Sequence, residues 1–587
     1  MENKTHNTIR FPLIARILSY TKPYRAVFWW ALVVTITLSS LAIVRPLLIS
    51  KALNEVVLDT KNSDRLNTIC WLILSFLVLE AGLQVVNARL GSVLGQNIVR
   101  DMRQQVYRHI LSLKNSYFDG TPVGTLVTRA ISDIESLSDV FTEGFIVIAG
   151  DLLMLIIFIA VMIYMNWILA LLALSTIPLL FVATALFKKG IKTTFTQVRN
   201  AVAALNTFTQ EHLSAMRIVQ LFNREEKEME KFRQINAQHR DANIRSIFYY
   251  SVFFPVVEIL SSVSIALVIW FAGIKGRYYA ISLGDVTFFV MMVNMMFRPI
   301  RMLADRLNTL QMGFVSAERV FKVLDTREQI VNSGKTDFIG VKECIEFKSL
   351  WFAYRDEQYV LKDISFRISA GETIALVGAT GAGKSSIVNL LNRFYDYNKG
   401  SISIDGLEIG NYRLESLRSK IAVVLQDVQL FNDTILNNIT LNDPSITHSE
   451  VLEATTDMGL MEYIESLPGG FDFQVRERGL SLSAGQRQLV AFIRAYVHRP
   501  VVFVLDEATA TIDTPTELLI QKAIEKIAKG RTSIIIAHRL STIRHVNKIL
   551  VLEEGRVVEE GSLNQLLELG GRFKQLYDLQ FALEENQ

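Results

Sequence analysis

Six apolar segments, each long enough to cross a membrane, fill the first half of the sequence. They lie at about 26–50, 67–88, 141–164, 167–187, 247–273 and 282–303, and nearly all of the spanning-length apolar sequence precedes residue 305. A helix needs about 20 apolar residues to cross the hydrocarbon core, where every backbone polar group must be satisfied internally. The sequence therefore predicts an α-helical transmembrane domain of six spans within residues 1–325.

The connections between the spans differ in length and charge. A tight turn at Asn166 and Trp167 separates the third and fourth spans, whereas the connections between spans two and three and between spans four and five run for about fifty to sixty residues. Both long connections are helix-forming and rich in Arg and Lys, as cytoplasmic loops are. About thirty residues of helix would carry them about 45 Å from the membrane. We therefore expect a multi-pass protein of the bacterial inner (plasma) membrane, with both termini and both long connections cytoplasmic.

Charged residues within the spans are few. Those that stand out are Arg45, Glu80, Asp151, Glu258 and Arg298. Because a charge at membrane depth is costly, each should face a partner, water or the protein interior. For Glu80 and Arg298 the alternative is a position near the interface, from which the charge reaches water. Span six is also crowded with Phe and Met between residues 288 and 297, which suits either an adaptable hydrophobic cavity or ordinary packing.

Charge and cysteine content exclude two classes of protein. Lys and Arg number 61 against 58 Asp and Glu, a net charge of +3, so no electrostatic footprint for nucleic acid is present. Cys70 and Cys344 fall in different regions, which argues against a disulfide framework and fits a reducing cytoplasmic half.

A phosphate-binding loop is the strongest motif of the second half. Residues 374–386 read IALVGATGAGKSS, an apolar run typical of a buried parallel strand followed by the spacing of a Walker loop. Its glycines allow successive N–H groups to point inward, and the following helix adds its positive end. We expect Lys384 to reach the β and γ phosphates of ATP and Ser385 to hold Mg²⁺. The loop residues are Gly378, Ala379, Thr380, Gly381, Ala382, Gly383, Lys384, Ser385 and Ser386. Taken alone, the motif could also be an ordinary glycine-rich turn.

Two further apolar strands each end in a polar residue that suits nucleotide chemistry. The run VVFVLD ends at Asp506, which could support Mg²⁺, and Glu507 after it could act as general base on the attacking water. The run SIIIAHRLST places His538 at a strand end, where it could donate to the γ-phosphate. Individually, Glu507 could be a helix N-terminal acid and His538 a structural histidine. Together these strands predict an α/β domain built around the phosphate loop.

The stretch GLSLSAGQRQ, residues 479–488, resembles the LSGGQ signature of ATP-binding cassette proteins, with Ala484 in place of the second-position glycine. In that family the signature closes over a nucleotide held by another cassette, a role that falls here to Ser483, Gly485 and Gln486. The resemblance extends to an adenine-stacking aromatic, a Q-loop near the metal, an X-loop, a D-loop and a switch histidine, which correspond here to Tyr354, Gln426, Glu477, Asp513 and His538.

The resemblance covers residues 343–587 and implies that they form an α/β P-loop ATPase domain, joined to the spans by a linker at 326–342. It also implies a half-transporter similar to multidrug and lipid exporters. Such a chain works with a second half-transporter, either a copy of itself or a related paralogue, and uses ATP and Mg²⁺ to export or flip a hydrophobic or amphipathic substrate through membrane lipid. The segments Tyr117–Arg129 and Val219–Phe232 resemble the coupling regions of these exporters, although solvated charged helices would also fit. A membrane-anchored ATPase that regulates a channel or complex is the rival interpretation. An importer is disfavoured by the fusion of the two domains.

Overall fold

The computed structural model describes residues 11–54, 63–330, 332–476, 479–506, 514–537 and 543–584. The chain divides into two compact units. A helical unit takes the chain up to Leu111 and from Val123 to Thr326, and an α/β unit takes Ser112–Pro122 and the chain from Arg327 onward. The predicted fold class, a helical membrane domain followed by an α/β domain, is confirmed.

Long helices form the helical unit. In chain order they are α1 (Phe11–Ser19), α2 (Arg25–Leu41), α3 (Val44–Lys51), α4 (Ser63–Leu111), α6 (Val123–Ala130), α7 (Ser132–Asp139), α8 (Ile146–Met165), α9 (Trp167–Leu174), α10 (Ile177–Ser214), α11 (Met216–Leu221), α12 (Glu225–Lys275) and α13 (Leu283–Leu324). The short helix α5 (Asn115–Gly120) lies in the segment that belongs to the α/β unit.

Six helical stretches in the described residues are long and apolar enough to cross a membrane. They are Lys22–Asn54, Asp64–Leu111, Val123–Met165, Trp167–Ser214, Glu225–Lys275 and Leu283–Ile300, so the predicted six spans are confirmed. Their outer surfaces carry exposed large apolar side chains such as Trp30, Ile156 and Phe181, which a bilayer would cover. The tight turn is also confirmed, because α8 ends at Met165 and the side chain of Asn166 caps α9 by accepting from the backbone N–H groups of Ile168 and Leu169.

Two groups of span residues singled out in the sequence, a charged residue and the Phe and Met residues of span six, have clear environments. Asp151 on α8 forms an ion pair with Arg306 on α13, which confirms that this carboxylate faces a partner. The aromatic and thioether side chains of span six that are fully buried are Phe288, Phe289, Met292, Met296 and Phe297. They pack into the core of the helical unit, so for these residues packing is the correct interpretation and the cavity interpretation is not supported.

Among the residues that the structure describes, ten strands in two sheets form the framework of the α/β unit. They are β1 (Cys344–Ala353), β2 (Tyr359–Ser369), β3 (Thr373–Gly378), β4 (Lys399–Ile404), β5 (Leu407–Glu408), β6 (Ile421–Val424), β7 (Val502–Asp506), β8 (Thr532–Ile536), β9 (Lys548–Glu553) and β10 (Arg556–Gly561). One sheet is antiparallel with the order β2-β1-β4-β5. The other has the order β10-β9-β3-β8-β7-β6 and is parallel except for the pairing of β10 with β9.

The α/β unit also contains helices. They are α14 (Lys384–Leu391), α15 (Leu414–Lys420), α16 (Ile435–Thr440), α17 (His448–Asp457), α18 (Met461–Ser466), α19 (Ala484–Val497), α20 (Thr514–Ala528), α21 (Leu563–Leu569) and α22 (Arg572–Glu584). Alternate residues of β3 enter two separate hydrophobic cores, Ile374 and Leu376 in one and Ala375 and Val377 in the other. A strand buried on both faces is continuously apolar, so the prediction of a buried parallel strand is confirmed.

Two segments beside the predicted domain boundaries belong to the α/β unit. One is Ser112–Pro122, in which Lys114 forms an ion pair with Asp396 at 2.5 Å. The other is the described part of the predicted linker, 326–342, from Arg327 onward. The Asn332 amide donates to the Glu415 carboxylate, and Phe338 is buried.

Candidate nucleotide-binding site

The phosphate loop leaves the C-terminal end of β3 in the middle of the parallel sheet and enters α14. Gly378 lies so close to the backbone oxygen of Leu552 that a Cβ would clash with it. Gly383 has φ +99° at the N-cap of α14, a conformation that side chains with a Cβ rarely adopt. Both glycines are therefore required by the tight turn between β3 and α14.

Lys384 is the first residue of α14 and is only 6% exposed. Its ammonium donates to the backbone oxygens of Gly378 at 2.6 Å and Ala379 at 2.9 Å, so it lies across the loop. Burial lowers the pKa of Lys384, and the Asp506 carboxylate opposes that shift. The buried ammonium of Lys384, the phosphate loop and the N-terminus of α14 together form a site for a polyanion such as a triphosphate.

Ser385 and Asp506 meet although 120 residues separate them in sequence. The Ser385 hydroxyl donates to the Asp506 carboxylate at 2.9 Å, with Ser385 at the start of α14 and Asp506 at the end of β7. A hydroxyl beside a carboxylate fits Mg²⁺, which takes few protein oxygens and completes its coordination with nucleotide phosphates and water. Among the described residues, no group of three or more His, Cys, Asp or Glu could hold a metal ion on its own.

The parallel sheet places the ends of β6 and β8 at the same edge as the phosphate loop. Gln426 follows β6, which pairs in parallel with β7, and its side chain is exposed. Since β8 lies between β3 and β7, the chain leaving β8 at Ile536 emerges at this edge as well. The remaining predicted residues, Glu477, Glu507, Asp513 and His538, lie outside the described residues.

Tyr354 lies directly after β1, beside the phosphate-loop helix. Its hydroxyl is 3.1 Å from the Ser386 hydroxyl and accepts from the Asn389 amide at 3.3 Å. The ring is exposed by 41% and meets Tyr395 edge-on with centroids 5.0 Å apart. A partly exposed ring fixed next to a phosphate loop is well placed to stack on a nucleotide base.

The signature residues begin helix α19. Ser483 is the N-cap, where its hydroxyl accepts from the backbone N–H of Gln486 and its own N–H donates to the Gln486 side chain at 2.9 Å. This capping box places Ser483 and Ala484, both exposed, at the positive end of a 14-residue helix. The preceding loop is held by Arg487, whose guanidinium donates to the backbone oxygen of Leu482 at 2.9 Å. The patch can therefore present N–H donors and a hydroxyl to an anion that approaches from outside.

Two residues beside Tyr354 were not predicted from the sequence. Asn389 could have been found by helical spacing, because it lies three residues after Ser386 on α14 and so shares its face. Tyr395 has no comparable local signal. It lies beyond the end of α14, and the chain reverses at Arg393, which has a positive φ of 51°.

Sequence comparisons agree with this arrangement. The family described as "ABC transporter transmembrane region" matches residues 28–300, and the family described as "ABC transporter" matches residues 361–510. The chain is 36% identical to a Bacillus subtilis protein named "Uncharacterized ABC transporter ATP-binding protein YknV", over 97% of this chain and 94% of that protein.

Two further relatives have more informative names. The chain is 34% identical to an "ATP-dependent lipid A-core flippase" of Syntrophus aciditrophicus, over 97% of this chain and 95% of the relative. It is 36% identical to the "Probable multidrug resistance ABC transporter ATP-binding/permease protein YheH" of Bacillus subtilis, over 82% of this chain and 72% of the relative.

Proposed function

This chain belongs to the ABC transporter family, and from that premise we propose that it is one half of a dimeric exporter whose ATP sites form between two chains. ATP hydrolysis drives the export or flipping of a hydrophobic or amphipathic substrate by alternating access. One observation carries the proposal. The chain that contains six membrane-spanning stretches also brings the Ser385 hydroxyl to 2.9 Å from the Asp506 carboxylate, next to the buried cation of Lys384.

In the proposed site the triphosphate lies within the loop from Gly378 to Ser386, and the adenine stacks on Tyr354. Lys384 exchanges its two backbone oxygen acceptors for phosphate oxygens, which are charged and therefore stronger acceptors. The Ser385 hydroxyl, Asp506 and Gln426, which follows β6, would hold Mg²⁺. The ion would supply positive charge beside the β and γ phosphates.

Glu507 acts as the general base in this proposal. It follows Asp506, so a carboxylate there accepts a proton from the water that attacks the γ-phosphate. His538 donates a hydrogen bond to the γ-phosphate, and Asp513 belongs to the D-loop at the dimer interface. These three roles rest on the family resemblance of the motifs.

The second half of each site comes from the other chain. Ser483, Gly485 and Gln486 lie at the start of α19, and the positive end of that helix suits the γ-phosphate of a nucleotide held by the partner's loop. Closure of the two cassettes around two ATP molecules turns the substrate pathway of the membrane domain outward, and hydrolysis resets it. This arrangement makes dimerisation part of the mechanism.

The substrate class and the membrane are also part of the proposal. Relatives named as a lipid A-core flippase and a multidrug transporter support an amphipathic substrate and support transport over regulation of a channel. The long basic connections support a bacterial inner (plasma) membrane location in which both termini and the ATPase domain are cytoplasmic.

The test is transport into inside-out vesicles that contain the full-length chain. We expect ATP-dependent accumulation of an amphipathic dye, and we expect Lys384→Ala to reduce both dye accumulation and nucleotide binding because it removes a phosphate-reaching charge. Lys348→Ala, which removes an exposed lysine from β1, is the matched control and should behave as wild type. ATP hydrolysis without movement of any dye or labelled lipid in the panel would contradict export.

A further inference from the structure

Tyr395 connects the adenine-stacking ring to the first long connection between spans. Its hydroxyl donates to the carboxylate of Asp119 on α5 at 2.7 Å, and its ring meets Tyr354 at 86° with centroids 5.0 Å apart. All three residues belong to the α/β unit. Burial and the Asp119 carboxylate raise the pKa of Tyr395, so the hydroxyl keeps its proton and remains the donor.

Tyr354 is held at both ends. Its hydroxyl contacts Ser386 and Asn389 on the phosphate-loop helix α14, and its ring packs edge-on against the ring of Tyr395. Phe352 packs against both tyrosines, with ring centroids 4.7 Å from Tyr354 and 5.9 Å from Tyr395. Because the rings form one packed cluster, a shift of Tyr395 must change the tilt of Tyr354.

The segment that carries Asp119 is itself tied to the α/β unit. The ammonium of Lys114 contacts the Asp396 carboxylate at 2.5 Å, one residue after Tyr395. The backbone N–H of Lys114 donates to the oxygen of Glu328, and that of Ile330 donates to the oxygen of Ser112. The chain leaving α4 is thus hydrogen-bonded to the chain that follows α13, and movement of either changes where Asp119 holds Tyr395.

We propose that Tyr395 is a positioning residue for Tyr354 and that Asp119 sets its position, so that ATP affinity responds to the first long connection. The inference rests on the proposed function in one respect, the stacking of adenine on Tyr354. Coupling of this kind is reciprocal, so ATP binding also favours one position of the connection. We call the series of contacts from Asp119 through Tyr395 to Tyr354 the relay. The relay acts on base stacking, whereas the phosphate contacts of Lys384 and Ser385 do not depend on it.

Two variants of the full-length protein in lipid vesicles, one for each partner of the Tyr395–Asp119 hydrogen bond, test the relay. Tyr395→Phe keeps the ring and loses the bond to Asp119, and Asp119→Asn removes the charged acceptor. We expect each to raise the KM for ATP about three- to tenfold with kcat within about twofold, and the double variant to be no worse than the more affected single variant. Tyr397→Phe is the matched control, because Tyr397 also donates to a carboxylate, that of Glu408, two residues away from Tyr395.

A base-free competitor distinguishes positioning from general damage. Ribose 5′-triphosphate reaches the phosphate loop without a base, so its inhibition constant should stay unchanged in Tyr395→Phe while the KM for ATP rises. An equal rise in both values would overturn the inference, as would a KM for ATP unchanged in both Tyr395→Phe and Asp119→Asn.

A Tyr354→Leu variant separates this inference from the proposed function. If Tyr354→Leu raises the KM for ATP while the Tyr395 and Asp119 variants do not, the adenine site stands and the relay is wrong. If Tyr354→Leu leaves the KM for ATP unchanged, the assignment of adenine to Tyr354 is wrong, and the inference is overturned with it.

Discussion

At the residue scale, the proposed chemistry requires Lys384 to exchange its hydrogen-bond partners. Its ammonium is buried and, among the described residues, donates to two neutral carbonyl oxygens of the loop, and this burial lowers its pKa. Phosphate oxygens would supply the opposing charge that these carbonyls lack. The loop therefore holds a cation in a position where a nucleotide is its best available partner.

Glu507 supplies the sharpest residue-scale prediction. Glu507→Gln keeps the size of the side chain but cannot accept a proton, so ATP affinity and the closed dimer should persist while turnover falls by roughly two to four orders of magnitude. Phosphate release and ATP binding, measured on the same preparation, separate the two effects. Glu453→Gln, which changes an exposed glutamate on α17, should leave both unchanged. Near-normal turnover of Glu507→Gln would contradict the assignment.

Part of the site could be predicted from single residues and part could not. Lys384, Ser385 and Asp506 were predicted to share one site because each follows a recognisable apolar strand, and parallel strands end at one edge of a sheet. The structure brings Ser385 and Asp506 to 2.9 Å. The contact of Tyr395 with Tyr354 could not be predicted, since it depends on how the chain leaves α14 and on packing between distant segments.

At the element scale, the turn between α10 and α12 separates two aromatics that look equivalent in the sequence. Phe222 follows α11 and is 65% exposed. Phe232 lies on α12 with its ring centroid 6.1 Å from that of Phe208 on α10, and so helps to join the two helices. Nearby, His212 contacts Glu228 at 2.9 Å and reinforces the same joint. The exposed ring is therefore the better candidate for an anchor on a nucleotide-binding domain of the dimer.

Phe222→Ala should lower the amount of substrate transported per ATP hydrolysed, because aromatic anchors dominate small interfaces. Val202→Ala removes another exposed apolar side chain from α10, about 18 Å along the helix from its end at Ser214, and should leave the ratio unchanged. Phe232→Ala should instead lower the melting temperature, since it removes packing between α10 and α12. Transport per ATP unchanged in Phe222→Ala would mean that this turn is not the coupling contact.

The helices illustrate what hydrophobic patterning can and cannot predict. The length and apolarity of the segments were sufficient to predict six spans and the turn at Asn166. In span six, however, composition did not decide between tight packing and a hydrophobic cavity, because Phe and Met residues suit both. The buried environment of Phe289 and Met292 decides between them only once neighbouring helices are in place.

At the scale of the whole molecule, the proposed function gives one chain both complementary halves of an ATP site. In that proposal the phosphate loop, Tyr354, Gln426 and Asp506 form one half, and the start of α19 forms the other. A pair of identical chains would thus assemble two complete sites. The one departure from the signature is Ala484, which is the first residue of α19 and is exposed.

The methyl group of Ala484 lies where glycine would allow the closest approach of a γ-phosphate to the helix N-terminus. Ser483 and Gly485 still supply the hydroxyl and the small neighbouring residue, so we predict that the isolated chain is a dimer with measurable ATPase. Ala484→Gly should change the rate less than about tenfold. The melting temperature of Ala484→Gly is the control, because glycine in a helix costs up to about 1 kcal/mol relative to alanine, and a loss of stability must be distinguished from a loss of activity.

Size-exclusion chromatography with light scattering measures the oligomeric state of the isolated chain, and phosphate release measures its ATPase activity. A chain that is monomeric or inactive alone, and becomes active only when a different half-transporter is added, would overturn the self-dimer and establish a heterodimer in its place.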